Sequence, residues 1–175
     1  RTGKNELFKI TLSEYNSLCN NEKKYFRPVI DNDAIKNGKI FNLNYVWYPY
    51  TKEGLIILTE SELRKAVPSF YSNTLEKNKD ILSKRAGISS ENWWTLTRHR
   101  SWLQEDEKRL ISTEFGNSSS FAFDLTGKYA IERGNAWLPK KDFELDDYYF
   151  YLAFFSSNFF DKLLSIYSKQ LAGAN

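Results

Sequence analysis

Apolar and polar residues alternate from Lys39 to Tyr50 (KIFNLNYVWYPY), with Phe41, Leu43, Tyr45 and Trp47 in one register. That period of two predicts a half-buried strand, entered through the turn signal Asn37-Gly38 and ending near Pro49. After a turn over Thr51 to Gly54, the run LIIL from Leu55 to Leu58 predicts its hairpin partner. Thr59 with Glu62 forms a capping-box pattern that opens a short helix over Ser61 to Ala66, interrupted by Pro68. From Ser69 to Arg85 the period lengthens. Tyr71, Leu75, Asn78, Leu82 and Arg85, with Ile81 offset, form the stripe of a helix closed by Lys84, Arg85 and Gly87. Its other face mixes Lys77, Lys79 and Lys84 with Glu76 and Asp80, as a solvated face does.

Strand patterns resume at KRLIS (Lys108 to Ser112), SFAFD (Ser120 to Asp124) and, after a turn over Leu125 to Lys128, KYAIE (Lys128 to Glu132). Such a meander suits a twisted antiparallel sheet covered on one face. The loops GNSSS (Gly116 to Ser120) and RGNAWLP (Arg133 to Pro139) place small, polar residues where the backbone turns. DDYYFYLAFFSS and NFFDKLLSIYS predict two consecutive helices, the second capped by Asn158 with Asp161 three residues on, and Leu152, Phe155, Phe159, Leu163 and Ile166 as their buried seam. The expected class is α+β: a mixed, mainly antiparallel sheet with hairpins packed against helices and a C-terminal helix pair. Residues 1–175 are expected to form a single domain.

Composition narrows the classes. With 41% hydrophobic and 27% charged residues the chain is neither disordered nor collagen-like, and 17% aromatic content puts rings on the surface as well as in the core. A net charge of +3 means that a face for a polyanion would be a local concentration of cations. Cys19 is the only cysteine and His99 the only histidine, which excludes an internal disulfide and a zinc site of the usual ligand set. A reducing, cytoplasmic setting is expected. The most apolar segment, Tyr148 to Tyr167, is interrupted by Ser156, Ser157, Asn158, Asp161 and Lys162, so no membrane span is expected, and no secretory pattern opens the chain. The chain starts at an arginine, holds no methionine and stops on LAGAN, which points to excision from a longer protein.

Catalytic motifs are missing from the sequence: no GxGxxG after a strand, no phosphate-binding GxxxxGK[ST], no GxSxG and no HExxH. Asp106-Glu107-Lys108 carries the acid-x-Lys order with which metal-dependent nucleases hold a cation, although acids followed by bases also suit a surface turn. The densest constellation is WWTLTRHRSW, from Trp93 to Trp102. It fits a tryptophan-anchored core with its polar neighbours in water. It also fits planar guanidinium groups that grip phosphates or guanine edges.

The order of FRPVI (Phe26 to Ile30), IKNGKI (Ile35 to Ile40), YVWYPY (Tyr45 to Tyr50), VPSFYSNTLEKNKDILSKRA (Val67 to Ala86), the WW…R cluster, KRLIS, FAFD…GKYAI (Phe121 to Ile131) and YLAFFSSNFF…YSKQLAGAN (Tyr151 to Asn175) resembles the C-terminal specificity domain of adenine-N6 DNA methyltransferases. More closely, it is similar to the TaqI-like specificity domain of Eco57I-type restriction and modification enzymes. The resemblance runs from about Phe26 onward. It implies a target-recognition-domain-like fold and sequence-specific recognition of double-stranded DNA, with a separate N-terminal methyltransferase domain binding S-adenosylmethionine and flipping the target adenine. That family's catalytic Asn-Pro-Pro-Tyr is absent, so no catalytic residue, cofactor site or metal site is expected within this chain. The chain also carries Ala174 where family members commonly have a second glycine, and it stops at Asn175, short of the family's continuing segment.

On that resemblance, Trp93 and Trp94 anchor the turn after the helix while Arg98, His99 and Arg100 project toward DNA, one arginine positioning a phosphate and the other reading a base. Lys108, Asn117, Ser118, Asn135, Lys169 and Gln170 are further candidate contacts, each also explained as a solvated loop residue. Two other function classes stand beside DNA recognition: a metal-dependent nuclease using Asp106 and Lys108, and a protein-interaction module that uses the aromatic surface.

Overall fold

The computed structural model describes residues 3–41, 43–100, 103, 106–114 and 118–167. The fold is mixed α+β with antiparallel sheets. From the N-terminus run α1 (Asn5–Phe8), β1 (Lys9–Thr11), α2 (Leu12–Ser17), α3 (Asn20–Lys23), β2 (Phe26–Ile30), the hairpin β3 (Ile35–Lys36) and β4 (Lys39–Ile40), then β5 (Asn44–Trp47) and the hairpin β6 (Tyr50–Thr51) and β7 (Gly54–Leu55). Helix α4 (Glu60–Ala66) leads into a continuous helical run from α5 (Pro68–Phe70) through a π-turn at Tyr71–Leu75 and a 3-10 turn at Glu76–Asn78 to α6 (Lys79–Ser83). The remainder holds β8 (Arg109–Ser112), β9 (Phe121–Asp124), β10 (Ala130–Ile131), β11 (Asn135–Trp137), α7 (Leu145–Phe155) and α8 (Asn158–Tyr167).

These elements form two compact units, each drawn from three stretches of chain. The first comprises Arg1–Val29, Asn42–Asp106 and Lys128–Glu132. Its sheet has the order β1-β5-β2-β10, with Phe26 opposite Trp47 and Pro28 opposite Tyr45. Phe26, Trp47 and Phe70 meet at 4.9 to 5.6 Å between ring centroids and join Trp93 and Trp94 in one buried cluster. Both predicted helices exist there. Thr59 and Glu62 close the capping box of α4, and the run from Pro68 to Ser83 fills the place predicted for Ser69 to Arg85. Its N-terminus is capped from a distance: Ser69 and Phe70 donate their backbone N–H groups to the buried carboxylate of Glu22, at 2.7 and 3.2 Å.

The second unit comprises Ile30–Phe41, Glu107–Gly127 and Arg133–Asn175. Its three-stranded sheet runs β11-β8-β9, with the β3-β4 hairpin beside β9 and α7 across it. Phe121 stacks on Phe155, and Phe123 on Tyr148, each at 4.9 Å. Arg109 and Asp124 are buried together, and the Arg109 guanidinium also donates to the Gly127 carbonyl.

Four details differ from the expectations of the sequence. The strand from Lys39 to Tyr50 is broken, and Phe41 and Leu43 are about half exposed. The Phe41 N–H is drawn to Ala34 and the Leu43 carbonyl to Leu12, so this stretch changes partners between β4 and β5. Of the expected hairpin partner Leu55 to Leu58, only Leu55 lies in the paired strand, opposite Tyr50, and the Leu58 N–H is taken by the Glu62 carboxylate at 2.8 Å for the helix start. β10 is not the third strand of a meander: it lies beside β2, and β11 takes the place next to β8. Ala130 and Ile131 are both buried, as befits a strand covered on two faces. The C-terminal seam is also shifted. Phe159 and Ile166 are exposed, while Phe160 packs on Phe155 at 5.0 Å, and Ser157 rather than Asn158 caps α8 through the Phe160 N–H.

Among the described residues, no helix is long and apolar enough to cross a membrane.

Candidate nucleic-acid interface

From Trp93 to Arg100 the chain runs through turns and bends without helix or strand, and side chains from the surrounding elements hold its backbone instead. Trp47 at the end of β5 donates its indole N–H to the Trp94 carbonyl at 2.9 Å. Arg85, just past α6, donates to the carbonyls of Leu82, Trp93 and Thr95 at 2.6 to 2.9 Å. The Leu96 N–H donates to the Tyr50 hydroxyl at 2.8 Å, and the Tyr48 hydroxyl donates to the Arg100 carbonyl at 3.2 Å. Arg27 on β2 donates to the Leu103 carbonyl at 2.7 Å and packs its guanidinium on the Tyr48 ring at 4.9 Å. Loop backbone that turns away from a ladder must find such partners, since a buried group left without one costs about 1–3 kcal/mol.

The same chemistry explains why Arg85, beneath the loop, stays inside. Arg85 is 8% exposed, with its guanidinium 4.8 Å from the Phe8 ring centroid; burial lowers its pKa, and the Tyr50 phenol opposes that shift. Burial pushes the Tyr50 phenol up, against the hydrogen bond from Leu96, and so keeps it neutral as an acceptor. Trp93 and Trp94 are fully buried and meet edge to face at 5.8 Å. The structure therefore divides the sequence cluster in two: its tryptophans Trp93 and Trp94 are core, and Arg98, His99 and Arg100 are exposed. The His99 imidazole lies flat on the Tyr50 ring, with centroids 4.7 Å apart and planes 14° from parallel.

The other candidates are distributed differently. Lys108 is exposed in the second unit, where its carbonyl accepts from the Tyr148 hydroxyl at 3.0 Å. Asn135 is exposed in the same unit, on β11 opposite Ser112. Ser118 opens a 3-10 turn, Ser118–Ser120. Asn117, Lys169 and Gln170 lie outside the described residues, as does Trp102.

Asp106 belongs to the first unit, and its carboxylate accepts from Arg27 at 3.0 Å. Among the described residues no group of three or more His, Cys, Asp or Glu side chains could hold a metal ion. The supporting residues Arg27, Trp47, Tyr48, Tyr50 and Arg85 escape a reading by motif. Their signal in the sequence is indirect, an aromatic run whose polar tips need partners when buried.

Compared with known proteins, the chain matches no family model and no curated protein.

Proposed function

We propose that this chain recognises a short sequence in double-stranded DNA, as the target-recognition domain of an adenine-N6 DNA methyltransferase or restriction-modification enzyme. The observation that carries the reading is the pinned loop. Arg98, His99 and Arg100 stand on a backbone anchored at Trp94, Thr95 and Leu96 before them and at Arg100 and Leu103. Contacts that discriminate between sequences gain from such support, because side chains on a fixed backbone lose less freedom on binding. Two guanidinium groups separated by one residue suit the division of labour in DNA interfaces, one to phosphate and one to a base edge. The resemblance of the ordered motifs to TaqI-like specificity domains supports the same reading. In it, a methyltransferase domain elsewhere in the polypeptide binds S-adenosylmethionine and carries out methyl transfer in the cytoplasm, while Lys108, Asn117, Ser118, Asn135, Lys169 and Gln170 supply further DNA contacts.

A second reading, a protein-interaction surface, is favoured by the second unit. Trp137 and Leu138 are more than 40% exposed there, beside an apolar cleft of about 150 Å³ lined by Pro139, Phe143, Tyr151 and Phe155. Within the DNA-recognition reading, this face suits contact with the methyltransferase domain.

Selection of bound sites from random duplexes tests the proposal, using the chain alone and joined to a methyltransferase domain. Enrichment of one short sequence is expected, with affinity that falls steeply as salt rises. No enrichment by either form retires the reading.

A further inference from the structure

Tyr50 touches the exposed loop in two places. Its hydroxyl accepts the Leu96 N–H at 2.8 Å, and its ring carries the His99 imidazole at 4.7 Å and 14°. Tyr50 itself is 6% exposed and held edge-on by Tyr48 at 5.3 Å, so the platform cannot swing away without opening the core. His99, by contrast, is exposed. A face-to-face stack occupies one face of an imidazole. It leaves the ring nitrogens, which lie in the ring plane, at the edges. The stack also restricts rotation of the ring, a freedom that a solvated histidine would lose only on binding.

We infer that Tyr50 is a positioning residue that seats the His99 imidazole as a fixed hydrogen-bonding edge between Arg98 and Arg100, and that this edge reads a DNA base. The inference rests on the DNA-recognition reading and adds to it a specificity-determining role for His99 and a supporting role for a buried tyrosine. A neutral imidazole offers one donor and one acceptor in its plane, the complement of a base edge that presents both.

His99 is the only histidine, so the chain gives a single set of imidazole signals in a proton NMR spectrum. Those signals are expected upfield, shifted by the Tyr50 ring current, and they should move on addition of the duplex enriched in the selection and not with a scrambled duplex. His99→Ala should lower the ratio of affinities for the enriched and scrambled duplexes by about tenfold. Tyr50→Phe keeps the ring and should keep the upfield signals; because it removes the hydroxyl that anchors Leu96, it is the reference against which the ratio of Tyr50→Leu is read. Tyr50→Leu, with its fold checked by circular dichroism, should release the signals and lose the ratio as His99→Ala does. Should Tyr50→Leu fail to fold, the wild-type signals and His99→Ala decide. Imidazole signals at ordinary positions, an unchanged ratio in His99→Ala, or an equal loss on both duplexes would overturn the inference. These outcomes are distinct from failure of the underlying reading, in which the wild-type protein itself discriminates between no duplexes.

Discussion

The indole N–H of Trp47 reaches the carbonyl oxygen of Trp94 across 2.9 Å, and neither residue is exposed to solvent. One bond thus ties the end of β5 to the start of the arginine-bearing loop. Trp47→Phe keeps most of the packing and strands the Trp94 carbonyl. A loss of about 1–3 kcal/mol is expected, read from the urea midpoint.

Acid should weaken the first unit through Glu60. Its carboxylate accepts from Lys79, Tyr71, Trp93 and Arg64, and the Lys79 hydrogen bond leads in lowering its pKa from 4.5 to about 2. A depressed carboxylate contributes its full stabilisation above its unfolded value and loses it as pH falls from about 4.5 toward 2. Glu60→Gln should flatten the urea midpoint across that window. Tyr71 has the opposite sign. Burial and then Glu60 push it up to about 12 from 10.0, so its contribution is complete below pH 10.0 and disappears as pH rises through about 12.

Arg98→Ala and Arg100→Ala separate the two kinds of DNA contact. Loss of a base contact should cost about 1–3 kcal/mol and relax preference at one position, whereas loss of a phosphate contact should weaken all duplexes alike and lower the salt slope by about 1. Binding titrations at several salt concentrations distinguish the two.

Asp106 pairs with Arg27 near the surface, with 44% of its side chain exposed. Asp106→Asn should therefore change stability by less than about 1 kcal/mol. With magnesium present, the wild-type chain should leave duplex DNA intact. Cleavage abolished by Asp106→Asn or Lys108→Ala would restore the nuclease alternative.

Gly134 sits at φ +147, and a Cβ added there would collide with the Ser112 carbonyl oxygen of the neighbouring strand β8. Gly134→Ala should destabilise the second unit by more than about 1 kcal/mol and disturb Asn135 next to it, measurable as a lower melting temperature. Gly54→Ala meets open space but also has a positive φ, +117, so it isolates the backbone part of the cost.

Much of the local structure was legible because its causes are local. The Thr59-Glu62 box, the helix that follows Pro68 and the strands around Leu110 and Phe121 each carry their own period or cap. What escaped depends on partners distant in the chain. Nothing near Ala130 announces that β10 joins β2, and nothing near Glu22 announces that it caps a helix beginning at Pro68. The candidate interface shows the same divide. The chemistry of Arg98 to Arg100 was visible as composition. Its support by Arg27, Tyr48 and Tyr50 arises only when β2, β5 and β6 assemble.

Because each unit is stitched from three interrupted stretches, no single cut can free either one whole. A protease nick between residues 30 and 132 would leave both halves incomplete, and a gene rearrangement could not exchange one unit by swapping a contiguous exon-like block.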